Sequence, residues 1–174
     1  MSRKSNRSSQ YPTSRMAKES REEKHGTIIL GIGNPILRDD SVGLKVARRL
    51  KQAVPEVEVV ETAEAGLSLL DWAPDHERLI VIDSIRAGEG EAAGEVFKLD
   101  FATLDPDMDF TSFHGVDIVT AFELGKRLGY HMPGRVSVYA ITVKDNMTFT
   151  EECSEEVEGK IPAIAVEILE EENL

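Results

Sequence analysis

The sequence predicts an α/β protein: a three-layer α/β/α sandwich around a mostly parallel five-stranded sheet. Three observations lead there. Short apolar runs alternate along the chain with amphipathic stretches of helical period, which is the signature of repeated strand-helix units. The clearest of these runs closes on glycine, and another on a carboxylate, each followed by a polar loop. The chain has 174 residues, 41% hydrophobic and 30% charged, enough for one domain with a substantial core.

Residues 1–26 hold seven Lys/Arg and three Asp/Glu and show no apolar period. They are expected to form a disordered N-terminal tail, because so little apolar surface cannot offset the entropy of ordering. They also lack the apolar core of a secretory signal. The domain is expected over residues 27–174. Its first element, TIILGI at 27–32, is a short apolar run closed by glycines and reads as a buried strand. Residues 41–52 repeat Val42, Val46 and Leu50 on one side with cations late in the segment, a helix with Ser41 near its N-cap. Residues 57–60 read as a second strand, 67–72 as a short helix stopped before Pro74, and 78–83 (RLIVID) as a third strand ending in a carboxylate. Residues 94–99 alternate like an edge strand. A polar loop over 99–113 precedes a helix at 115–128, with Ile118, Ala121, Phe122 and Leu128 on its apolar side. A fifth strand spans 135–141. The stretch 151–171 reads as one helix, or as two joined near Pro162, with a glutamate-rich outer face.

Composition excludes several classes. No apolar run approaches the roughly 18 residues of a membrane span. Cys153 is the single cysteine, which excludes a disulfide-stapled fold and a multi-cysteine zinc site. The formal net charge is -12, made of +4 in the tail and -16 in the remainder. A body this acidic repels phosphate backbones, so nucleic acid is not expected as a partner.

In an open α/β sheet ligands bind beyond the carboxyl ends of the strands, so the segments behind the strands matter most. The first is GIGNPILRDDSVG, residues 31–43. It is not a dinucleotide fingerprint, because Ile36 stands where the third glycine belongs, and no GK[ST] follows to make a phosphate loop. Its adjacent carboxylates, Asp39 and Asp40, either cap the following helix or leave one carboxylate facing the cleft. Asp83 closes an apolar strand, where a carboxylate must be hydrogen-bonded, paired or metal-bound. A bond to a loop amide or to Ser84 would suffice. His114, ahead of a helix, is open to the same two readings, packing or ligation. Taken together, two carboxylates and one imidazole suit a divalent first-row metal such as zinc or nickel, with coordination positions left for water or substrate.

GIGNPILRDDSVG after the first strand, VIDSI at the end of the third and SFHGVD before the long helix closely resemble the NiFe-hydrogenase maturation proteases. The likeness runs from about residue 27 to residue 169. It implies an endopeptidase that removes a short C-terminal extension from the precursor of the hydrogenase large subunit once nickel has been inserted. Carried over position by position, it assigns Asp40, Asp83 and His114 as the catalytic, nickel-contacting residues. The nickel is supplied by the substrate rather than held as a resident cofactor. The implied partner is the large-subunit precursor, with no nucleic acid and no membrane, and the implied enzyme is a cytoplasmic monomer. Asp39 is a candidate base. Cys153, among glutamates, is a poor nucleophile, because acidic neighbours raise a thiol pKa. One departure concerns the second strand. Many members carry Asp-Gly-Gly-Thr after it, where this chain has Glu61-Thr62-Ala63-Glu64-Ala65-Gly66, a loop expected to border the cleft. GIGNP also resembles the first loop of peptidyl-tRNA hydrolases, but the charge of -16 and RDDSVG in place of that family's histidine weigh against it. A non-catalytic module that binds nickel-loaded precursor is the remaining alternative.

Overall fold

The computed structural model describes residues 26–101 and 115–174. In chain order the elements are β1 (Thr27–Ile32), α1 (Val42–Ala53), β2 (Glu58–Thr62), α2 (Leu69–Trp72), β3 (Arg78–Arg86), β4 (Val96–Asp100), α3 (Gly115–Arg127), β5 (Arg135–Val143), α4 (Glu155–Glu158) and α5 (Ile161–Glu172). Single 3-10 turns precede α1 (Arg38–Ser41) and α2 (Gly66–Ser68). The sheet runs β2-β1-β3-β5-β4. All neighbours are parallel except the edge strand β4, which is antiparallel to β5.

Strand alternation divides the interior into two layers. Ile29, Ile80, Ile82, Tyr139 and Ile141 face α1 and α5, while Ile28, Leu30, Leu79, Val81, Val138 and Ala140 face α2 and α3. A twelve-residue helix such as α1 is marginal in water, so its buried Val42, Val46 and Leu50 stabilise it, at about 1.5–3 kcal/mol each. Two glycines let α1 sit directly on the strand ends. A Cβ on Gly31 would lie 2.5 Å from Ala47 Cβ, and one on Gly43 would lie 2.3 Å from the Ile32 carbonyl oxygen.

From β1 the chain turns to β2 on one side and then crosses to β3 on the other. That reversal opens a crevice at the carboxyl ends of β1 and β3. β1 pairs with β3 only as far as Gly31 opposite Ile82, whereas β3 continues against β5 to Arg86 opposite Val143. Asp83 therefore lies inside a strand that runs longer than its apolar stretch. Pairing with β5 sustains the added residues, and β1 no longer covers their other side.

Other expectations are adjusted. Leu128 is 62% exposed, because α3 stops at Arg127 and Gly125 fills the packing role instead, against Leu70 and Met132. The C-terminal stretch is two helices. Residues 151–154 are not helical, and Pro162 lies in the first turn of α5, where its missing N–H costs nothing. The tail expected over residues 1–26 and the loop expected to hold His114 fall on residues 1–25 and 102–114, outside the described residues. Among the described residues no helix is long and apolar enough to cross a membrane.

One buried ionic cluster ties α5 to the sheet. Glu172, 3% exposed, accepts hydrogen bonds from Arg78, from Lys98 Nζ at 2.8 Å and from Tyr139 Oη at 2.6 Å. Burial alone would raise its pKa. The bonds from Arg78, Lys98, Tyr139 and Ser137 outweigh that and lower it from 4.5 to about 2. A depressed carboxylate stabilises the fold above its unfolded pKa and loses that contribution as pH falls through its folded value. Glu172→Gln is therefore expected to cost on the order of 3 kcal/mol near neutral pH. Its gap to the wild type should close between pH 4.5 and about 2, as read by urea unfolding at each pH. A gap independent of pH would show that Glu172 acts only through packing.

Candidate functional site

Asp40, in the 3-10 turn before α1, points into the crevice and does not cap the helix. Its Oδ2 accepts the Asn34 N–H at 2.8 Å and its Oδ1 accepts the Ser84 hydroxyl at 2.7 Å. Asp83 is fully buried, and its Oδ1 accepts the Ser84 N–H at 2.8 Å. Ser84 thus binds both carboxylates, one through its main chain and one through its side chain. Alternation explains how. Asp83 shares the strand face of Val81, toward α3, while Ser84 shares the face of Ile82, toward α1, where Asp40 lies. Each Asp40 oxygen accepts one hydrogen bond and keeps a lone pair for a cation, since a carboxylate offers about four acceptor positions.

The loop carrying Asp40 is built to a tight tolerance. Gly33 has φ +152, and a Cβ there would lie 2.0 Å from the Asp40 carbonyl oxygen. Its N–H bonds the carbonyl of Thr62, the last residue of β2, at 3.1 Å, which ties the start of the Asp40 loop to the sheet. Glu61 and Thr62, expected in the loop, belong to β2, because their main chains pair with β1, and the Glu61 side chain pairs with Arg48 on α1.

Asp39 is not a free base. Its Oδ1 accepts the Ser154 N–H at 2.6 Å and its Oδ2 the Ser154 hydroxyl at 2.9 Å. It therefore anchors the start of α4. Ser41 does not cap α1 through its side chain, because the preceding turn is already helical and its hydroxyl bonds back to the Arg38 carbonyl at 2.6 Å. Cys153 is buried, with Sγ 3.3 Å from Ser41 Oγ. Burial raises its pKa, with Glu158 and Asp39 adding, against the Ser41 hydrogen bond and the Lys45 charge. It is held as a thiol, as expected, although desolvation rather than acidic neighbours is the main cause.

Among the described residues no three His, Cys, Asp or Glu side chains gather to hold a metal ion. Asp40 and Asp83 converge, and His114 lies outside the described residues. Sequence reading had placed Ser84 only as a partner for Asp83. Its bond to Asp40 follows from its position next to Asp83 on the opposite strand face. A groove of about 330 Å³ between α1 and α5 is lined by Lys45, Arg48 and Arg49, the first two paired with Glu158 and Glu61.

Comparison with known proteins gives the family and the fold. Residues 44–171 match the family model described as HycI, hydrogenase maturation protease. The match begins just after Asp40 and spans Asp83. The hydrogenase 2 maturation protease of Escherichia coli is 33% identical over 61 residues, which is 33% of this chain and 37% of that protein. The aligned stretch thus spans little more than a third of that relative's length. The hydrogenase maturating endopeptidase HybD from E. coli superposes with a TM-score of 0.69 at 22% identity, over 83% of this chain and 90% of that one. The NiFe-hydrogenase maturation protease HybD from Thermococcus kodakarensis does so with a TM-score of 0.64 at 26% identity, over 83% and 97%. With the family model covering most of its length, the chain belongs to the hydrogenase maturation protease family.

Proposed function

We propose that this protein is the endopeptidase that removes the C-terminal extension of a nickel-loaded NiFe-hydrogenase large-subunit precursor. The observation that carries the reading is the pair Asp40 and Asp83, both bound to Ser84 at the sheet's switch point. The nickel is part of the substrate. Asp40, Asp83 and His114 would bind it as the precursor docks, so that cleavage depends on prior metal insertion. The orientation of α3 agrees. Gly134 and Arg135, just beyond α3, bond Glu77 at the amino end of β3. Thirteen helical residues rise about 20 Å, which carries the start of α3, next in sequence to His114, toward the carboxyl ends. The bound cation would polarise the scissile carbonyl or lower the pKa of a water toward about 7. No covalent nucleophile is invoked, since Cys153 is buried and kept as a thiol. The reading includes a monomeric enzyme acting in the cytoplasm.

The test is the intact mass of nickel-loaded precursor before and after incubation, with nickel-free precursor as the control. Loss of a C-terminal peptide only when nickel is present is expected. A stable complex with no mass change would instead make the protein a binding module.

Ser84→Ala removes the hydroxyl bond to Asp40 and keeps the N–H bond to Asp83. A supporting contact of this kind is worth about 10- to 100-fold in activity. The variant is expected to cleave that much more slowly, with a stability loss of only about 1–2 kcal/mol. Wild-type turnover by Ser84→Ala would remove Ser84 from the machinery.

A further inference from the structure

The loops after β1 and β5 join in a short antiparallel ribbon at the rim of the crevice. Leu37 bridges Phe149, the Arg38 N–H bonds the Thr148 carbonyl at 3.0 Å, and the Thr150 N–H bonds the Ile36 carbonyl at 3.0 Å. Asp145 stiffens the turn behind it by accepting the Met147 and Thr148 N–H groups. This well-tied ribbon and its turn hold large apolar side chains out in water. Ile36 is 47% exposed, Met147 70% and Phe149 80%. A single exposed apolar residue needs no explanation, but Met147 and Phe149, two apart on one strand of the ribbon, project on the same face beside Leu37 and make an apolar surface of the kind that marks an interaction site, with Ile36 on the ribbon's other face.

We propose that this ribbon is the docking surface for an apolar stretch of the precursor polypeptide flanking the scissile bond. The inference rests on the proposed function and adds where the substrate chain lies. Continuity with the site selects this occupant. Leu37 is three residues from Asp40, at most about 11 Å of extended chain. A polypeptide whose metal reaches Asp40 therefore has this ribbon within reach of the residues next to the metal. Charge argues against the other occupants. Arg38 in the ribbon is offset by Asp145 at 3.7 Å, and Glu151 and Glu152 add negative charge beside the patch on a body of net -16, which disfavours nucleic acid and anionic lipid. The chemistry of the patch then sets the chemistry of the segment. A phenylalanine anchor beside an adaptable methionine favours bulky apolar side chains over charged ones.

The experiment measures kcat and KM for nickel-loaded precursor with wild type, Phe149→Leu, and the double variant Met147→Ser with Phe149→Ser. Melting curves and sedimentation velocity are run alongside. The double variant is expected to raise KM tenfold or more with kcat little changed, as removal of uniform binding does. Phe149→Leu should recover most of that loss, which separates docking from misfolding. An unchanged KM in a folded double variant, while wild type cleaves, overturns the inference and leaves the proposed function standing. An unchanged KM together with dissociation of a wild-type dimer would assign the patch to self-association and likewise overturn it. If wild type cleaves no nickel-loaded precursor, both readings fall.

Discussion

Asp40→Asn is expected to lower cleavage of nickel-loaded precursor by more than about 100-fold, beyond what loss of a supporting contact costs. The substitution isolates charge from shape. An asparagine can accept the Asn34 N–H through its oxygen and donate its amide to Ser84 Oγ, so both contacts of Asp40 survive in altered form. What disappears is the negative charge and the lone pairs that would face the metal. Stability should therefore change by no more than about 1–2 kcal/mol while turnover is lost. Intact-mass time courses and thermal melts on the same preparation check both halves. Turnover within tenfold of wild type would mean that Asp40 only shapes its loop.

Gly43→Ala is expected to be strongly destabilising, although it adds only one methyl group. The added Cβ would meet the Ile32 and Ile82 carbonyl oxygens at 2.3 and 2.6 Å. Both belong to central strands, so the helix has to move instead. Overpacking of this kind costs about 3 kcal/mol. For a protein of this size that is a fall in Tm of roughly 6–12 °C. Asp40 lies three residues upstream, so the same shift should displace it and depress cleavage. A Tm within about 2 °C of wild type would show that α1 can slide without penalty.

The fold was legible where a single period dominates. TIILGI is β1 as observed, and the helix expected at 41–52 differs from α1 by one residue at each end. The last third of β3 was not legible, because the apolar run stops at Asp83 while hydrogen bonding to β5 continues to Arg86. Asp40 and Asp83 were identified as a pair through resemblance and through their places behind strands. The roles of their neighbours were hidden. Nothing near Asp39 in sequence indicates that it holds Ser154, and Met147 and Phe149 sit in a polar loop with no period to expose them. Local patterns report which face of an element is apolar, and these contacts join elements far apart in the chain.

The bond from Ser154 to Asp39 spans 115 residues. The loop that carries Asp40 is thus fastened by a part of the chain made long after it. Closing so large a loop is entropically costly until the intervening strands have paired, and such non-local contacts form late. The Asp40 loop is thus fully tied only in a chain whose residues from Ser154 onward have docked, so a truncation before Ser154 should loosen it.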